Sequence, residues 1–145
     1  MSLDFHKKSM SRITPEYITS ISENQVFVFG SNLAGRHGGG AARTALEWGA
    51  KWGQAVGLAG NTYALPTKSA DVGSTLPLSE IQSHVLDFIE FARSNPTLEF
   101  LVTEIGCGLA GLDPKDIAPM FQECCSLENV WLPERFWQIL KDKRK

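Results

Sequence analysis

The sequence predicts an α/β fold built on a mostly parallel central sheet, and three observations carry that prediction. Helix-like and strand-like segments alternate along the chain. The strands starting at Val26 and Phe100 are continuous apolar runs, as strands covered on both faces are. Both lead directly into glycine-rich loops, and in open α/β sheets ligands sit beyond the carboxyl ends of strands.

Taken in order, residues 1–12 are polar, carry Lys7, Lys8 and Arg12, and predict a loose arm ahead of one domain spanning 13–145. Thr14 and Pro15 read as a helix cap and first helical position, predicting a short helix to about Ser22. Val26-Phe-Val-Phe29 is the first clear strand, followed by a loop from Gly30 to Gly40 and a helix from Ala41 to about Trp48. A glycine-containing connection follows, Gly53 to Gly60. Thr62 to Leu65 reads as a short strand stopped by Pro66, and Thr67 to Pro77 as an irregular loop. Ile81, Val85, Phe88, Ile89 and Ala92 recur at helical spacing, so a helix opens at Leu78 and closes at Asn95 and Pro96. The strand at Phe100 is expected to reach about Ile105. Asp113 and Pro114 then start a helix carrying Ile117, Ala118, Met120 and Phe121. Asn129 to Leu132 is a last strand, and Pro133 to Lys143 a last helix with Phe136, Trp137 and Leu140 as its apolar face.

Bulk properties exclude several classes. With 43% apolar and 21% charged residues over 145 positions, the composition is that of an ordinary globular domain. Fourteen basic and 16 acidic side chains give a formal net charge of −2, which argues against bulk electrostatic binding to nucleic acid. No apolar run is long enough for a membrane helix, and no secretory signal is legible. Cys107, Cys124 and Cys125 are a poor disulfide framework and fit a reducing, cytoplasmic setting. Neither they nor the scattered His6, His37 and His84 have metal-ligand spacing, so no metal and no cofactor are expected.

The chemistry concentrates in the two loops. Gly38, Gly39 and Gly40 ahead of Ala41 can wrap backbone N–H groups around an oxyanion. The Gly-Lys-Ser/Thr ending of a Walker loop is missing, which removes the phosphoryl-transfer lysine. Asn32 suits a ribose hydroxyl or a carbonyl, and equally suits the turn itself. His37 fits phosphate binding or proton transfer, against simple exposure. Ile105-Gly-Cys-Gly-Leu-Ala-Gly111 offers a second anion cradle, with Cys107 inside it as either a nucleophile or a small packed residue. Lys68 can neutralise phosphate, act as a nucleophile or lie solvated. Glu104 can serve as a base, orient a ribose, face solvent, or pair with a base such as Arg36 or Arg43.

Over residues 26 to 125 the chain resembles a macrodomain, the α/β module that binds ADP-ribose. Gly30, Ser31 and Asn32 with Gly38, Gly39, Gly40, Ala41 and Ala42 resemble that family's first ligand loop. Ile105, Gly106, Cys107, Gly108 and Leu109, continued by Ala110 and Gly111, resemble its diphosphate-binding loop. One branch removes ADP-ribose from acidic side chains with a lysine at a strand-end Thr-Lys pair. Tyr63-Ala-Leu-Pro-Thr67-Lys68 is similar to that placement, so the resemblance implies Lys68 as attacking group beside a ligand-contacting Thr67. That branch has an aspartate where this chain has Ala110; Asp113 lies three residues on and is the second catalytic candidate. Another branch has an aspartate where this chain has Ala42.

The resemblance implies a single-domain, three-layer α/β/α macrodomain-like fold that binds ADP-ribose or a related nucleotide-diphosphate ribose. It leaves two outcomes open: hydrolysis of ADP-ribose from a protein or of a group from the terminal ribose, or a non-catalytic reader of ADP-ribosylated protein. A third reading, a protein-interaction scaffold without ligand, rests on Trp48, Trp52 and Trp131.

Overall fold

The computed structural model of the protein describes residues 12–71, 73–108 and 110–144. The arm expected over residues 1–12 lies outside them except for Arg12, and so does Leu109. Twelve segments follow one another. They are β1 (Ile13–Thr14), β2 (Gln25–Asn32), α1 (Gly40–Ala45) with a 3-10 turn (Leu46–Trp48), and β3 (Gly57–Ala59). Next come β4 (Thr62–Lys68), α2 (Leu78–Ser94), β5 (Glu99–Val102) and α3 (Pro114–Ile117). A 3-10 segment (Ala118–Ser126), β6 (Val130–Pro133) and α4 (Glu134–Arg144) complete the chain.

The six strands form one sheet in the order β1-β6-β5-β2-β4-β3. Every pairing is parallel except β3 on β4. The mixed α/β class expected from alternation and apolar runs is what the chain adopts. β2 lies in the middle of the sheet, between β5 and β4. Its alternate residues feed two separate cores. Val26 and Val28 join a large cluster with Val85, Phe88 and Ile89 of α2, Phe121, and Phe136 of α4. Phe27 and Phe29 join a smaller one with Ala42 and Ala45 of α1. That two-sided burial is why the strand shows no polar alternation.

The segment from Thr14 to Ser22 does not form the expected helix. Ile13 and Thr14 are a strand paired with Leu132 and Pro133, and residues 15–22 are irregular. Ile18, Thr19 and Ile21 are β-branched and stiff at χ1, which weakens a helix that the capping signal alone suggested. Arg12 fastens this strand. Its guanidinium is buried and donates to the carbonyls of Cys124, Cys125, Leu127 and Val130, while Trp137 Nε1 donates to the Arg12 carbonyl. Burial pushes the Arg12 pKa down, and the ring of Trp137, 5.1 Å from its guanidinium carbon, adds a cation–π contact.

Three boundaries differ from expectation for physical reasons. β4 continues through Pro66 to Lys68 because Thr62, Tyr63 and Ala64 pair with β3 and Lys68 bridges Thr75, which leaves Pro66 between the two pairings, where proline is tolerated. β5 ends at Val102, where Thr103 turns to donate its N–H to the Val28 carbonyl. The helix at Pro114 lasts four residues and passes into the 3-10 segment, kinked at Phe121, because Pro119 cannot donate to the preceding turn. β3 was hidden in the glycine-containing connection. No described helix is long and apolar enough to cross a membrane.

Candidate functional site

Beyond the carboxyl ends of β2, β4 and β5 lies a cleft of about 1010 Å³. The strand ends meet closely at its floor. A Cβ on Gly30 would stand 3.4 Å from Thr67 Oγ1 and 3.5 Å from the Gly106 nitrogen, so the smallest residue occupies the point where three elements converge. Thr67 is buried and its hydroxyl donates to the Ser31 carbonyl at 3.4 Å. Lys68, half-buried at the end of β4, lines the cleft, and its carbonyl accepts from Leu33 N–H at 3.0 Å.

The first loop is braced by side chains. Ser31 Oγ donates to the Ala55 carbonyl at 2.6 Å. Asn32 Nδ2 donates to the Arg36 carbonyl at 2.7 Å, and Asn32 Oδ1 accepts from Arg36 N–H at 2.9 Å. The turn-closing role of Asn32 thus accounts for its amide, although the residue also lines the cleft. His37 is 1% exposed and lies under the loop. Its Nε2 is 2.9 Å from the Lys51 carbonyl, so Nε2 carries the proton and donates. Its ring meets Phe29 edge-on at 5.3 Å. Gly35 has φ +69°, and a Cβ there would fall 2.4 Å from the Gly53 carbonyl carbon; the two turns are packed backbone to backbone.

Past this brace the loop opens. Gly38, Gly39, Gly40 and Ala41 line the cleft, and no hydrogen bond among the described residues uses the N–H of Gly38, Gly39 or Gly40. α1 is six residues long and has no side-chain cap. So short a helix adds little macrodipole, and the anion-binding capacity resides in the loop N–H groups.

The second loop contributes Gly106, Gly108 and Ala110 to the lining. It is held mainly by its own turns: Cys107 N–H to the Glu104 carbonyl at 3.0 Å, Gly111 N–H to Gly108 at 3.0 Å, and Leu112 N–H to Gly106 at 2.8 Å. One side chain clasps it from outside, Thr75 Oγ1 donating to the Ala110 carbonyl at 3.0 Å. Ile105 belongs to the core. Cys107 is half-buried, its thiol donating to the Ile105 carbonyl at 3.4 Å. Burial, reinforced by Glu104, raises its pKa to about 11, the wrong direction for a nucleophile. Asp113 stands off the lining and caps α3, accepting from Lys115 N–H at 2.9 Å. Gly111 is exposed and also off the lining.

Five lining residues were not among the predicted ligand contacts: Arg36, Ala42, Trp52, Thr103 and Glu104. Glu104, singled out in the sequence only as a carboxylate at a strand end, is the one carboxylate among the described lining residues. Its expected partner was Arg36 or Arg43; instead it forms a two-pronged pair with Arg135 of α4, at 3.0 and 2.6 Å. Trp52 had the plainest missed signal, a large aromatic next to a glycine in a connecting turn. Among the described residues no three His, Cys, Asp or Glu side chains are grouped to hold a metal ion.

A second cleft of about 1000 Å³ adjoins the first, sharing Gly40, Ala41, Thr103 and Glu104 with it and extending toward Thr14, Tyr17 and Pro133. Compared with protein-family models, curated proteins and solved structures, the chain matches none.

Proposed function

We propose that this protein binds ADP-ribose, or a closely related nucleotide-diphosphate ribose, with the diphosphate held between its two glycine loops. The observation that supports this most is the meeting of those loops. They leave the ends of hydrogen-bonded parallel strands, β2 and β5, and both line one cleft, with no hydrogen bond among the described residues on the N–H of Gly38, Gly39 or Gly40. Backbone N–H groups in such a concavity are suited to phosphate oxygens. Lys68 and Arg36 on the lining add positive charge. Ligand pockets commonly measure about 300–1,000 Å³. Each lobe lies near the upper end of that range, which gives an extended, two-ended ligand room on both sides of the loops. On this reading the domain is a macrodomain-like, three-layer α/β/α module, a description supported by the two cores fed by alternate residues of β2.

Calorimetry with ADP-ribose and ADP tests the proposal. Binding of ADP-ribose tighter than millimolar, weakened by added salt, is the expected result. Absence of any sub-millimolar binding rejects it.

Turnover is the second reading, favoured by one observation: Lys68 lines the cleft. Against it, Cys107 is held as a thiol, Asp113 caps a helix and Glu104 is paired with Arg135. The reader of ADP-ribosylated protein is therefore preferred. Incubation with ADP-ribosylated protein discriminates between them. No release by the wild type supports the reader; release that Lys68→Ala abolishes supports the hydrolase.

A further inference from the structure

We propose that the ligand carries a planar aromatic ring on its terminal ribose, and that Trp52 selects it. This rests on the diphosphate site proposed above and takes its ligand as a free dinucleotide with a base at each end, in place of protein-linked ADP-ribose, because the anomeric carbon of the terminal ribose carries either a base or a protein side chain.

Trp52 lines the cleft and is 63% exposed. Its neighbour in sequence, Trp48, does the work expected of a core tryptophan, packing edge-on against Phe27 at 5.0 Å. Trp52 packs into neither core. Its support is nonetheless built. The His37 ring stands beside it at 6.3 Å and 76°, and His37 is itself buried and fixed between Phe29 and the Lys51 carbonyl. Gly53 N–H donates to the Gly35 carbonyl at 2.9 Å, and Gln54 N–H to the Lys51 carbonyl at 3.0 Å. The turn carrying Trp52 is thus clamped to the first glycine loop, while most of the indole stays open. An indole held in place without burial is suited to stack a flat ligand group, because it supplies area without first having to be ordered.

The second cleft makes the arrangement two-ended. The lobes join at Gly40, Ala41, Thr103 and Glu104; Trp52 belongs to one lobe, and Tyr17, 81% exposed, to the other. Each of the two adjoining lobes therefore has an exposed aromatic residue in its lining. ADP-ribose offers one planar group for two such positions. NAD, which is ADP-ribose with a nicotinamide on the terminal ribose, offers two.

Calorimetry on the full chain, comparing NAD with ADP-ribose, reads the effect as a ratio of affinities. The wild type is expected to favour NAD by about tenfold, as stacking on one aromatic ring allows. Trp52→Ala should bring the ratio to about one, and Trp52→Phe should keep most of it. Circular dichroism checks that both variants fold. Equal affinity in the wild type, or a preference that survives Trp52→Ala, overturns this inference while ADP-ribose binding leaves the broader reading standing. If neither compound binds, both fall.

Discussion

The two glycine loops end neighbouring strands, yet they are held in opposite ways. The first is fixed by side chains, Ser31 to Ala55 and His37 to Lys51 across the chain and Asn32 to Arg36 within the loop. Among the described residues the second rests mainly on hydrogen bonds within itself, with Glu104 paired to Arg135 at its start and Thr75 clasping Ala110. One loop is a preformed wall and the other a turn that can adjust. A ligand held between them gains geometry from the first and fit from the second, so substitutions in the first should cost stability and those in the second chiefly ligand fit.

The largest contrast is expected between Gly35→Ala and Gly106→Ala. Both glycines have positive φ, +69° and +75°. A Cβ on Gly35 strikes the backbone of Gly53, which cannot yield, whereas one on Gly106 meets the tip of the Leu112 side chain at 2.9 Å, which can. Backbone strain and overpacking together should cost Gly35→Ala about 2–5 kcal/mol, and Gly106→Ala about 1–2 kcal/mol. Urea denaturation measures both. Equal losses would mean that the loops are equally rigid.

Asn32→Ala against Thr75→Val sharpens the same contrast at lower amplitude. The first orphans the Arg36 N–H and carbonyl and should cost about 1–3 kcal/mol; the second removes one exposed hydrogen bond and should cost under about 1 kcal/mol. Thr75→Val should also speed amide exchange around Gly108 and Ala110, with no change near Asn32.

Much of this was legible in the sequence, for a definite reason. The runs at Val26 and Phe100 are buried on both faces, so they are apolar throughout, and the glycines that follow mark where the chain must come close or turn. The long helix was readable from Ile81, Val85, Phe88, Ile89 and Ala92, all of which it buries. What was not readable depends on partners far away in the chain. Thr14 looks like a cap until Pro133 is seen beside it. Gly57 to Ala59 looks like a loop until it pairs with β4. Glu104 finds Arg135 across 31 positions, and nothing in the order of residues singles that arginine out from Arg36 or Arg43. Within the site, the glycine loops and Lys68 could be found locally. The turn role of Asn32 was also open to a local reading, its partner Arg36 lying four residues on; the placement of His37 and Trp52 was not, since it depends on their contact with one another over 15 positions.

Gly38→Ala and Gly108→Ala separate ligand fit from stability. A Cβ at either position meets nothing within 4 Å, so stability should stay within about 0.5 kcal/mol of the wild type. ADP-ribose affinity should fall about tenfold for Gly38→Ala, next to His37, which is fixed at the Lys51 carbonyl, and less for Gly108→Ala. A tenfold change corresponds to about 1.4 kcal/mol.

The last expected effect appears only at alkaline pH. The Cys107 thiol titrates at about 11 in the folded chain against an ordinary 9.0. The unfolded chain therefore loses this proton first. The contribution is intact below pH 9 and lost as pH rises toward 11. Thermal unfolding followed from pH 8 to 11 should show a steeper decline for the wild type than for Cys107→Ala; parallel curves would contradict the burial of this thiol.

A crystal structure with ADP-ribose bound tests the central claim most directly. The account predicts diphosphate oxygens within hydrogen-bond distance of N–H groups from both loops, among Gly38, Gly39 and Gly40 on one side and Gly108 and Ala110 on the other. A ligand lying outside the cleft, or one whose diphosphate is held by Arg36 and Lys68 alone with neither loop engaged, would contradict it.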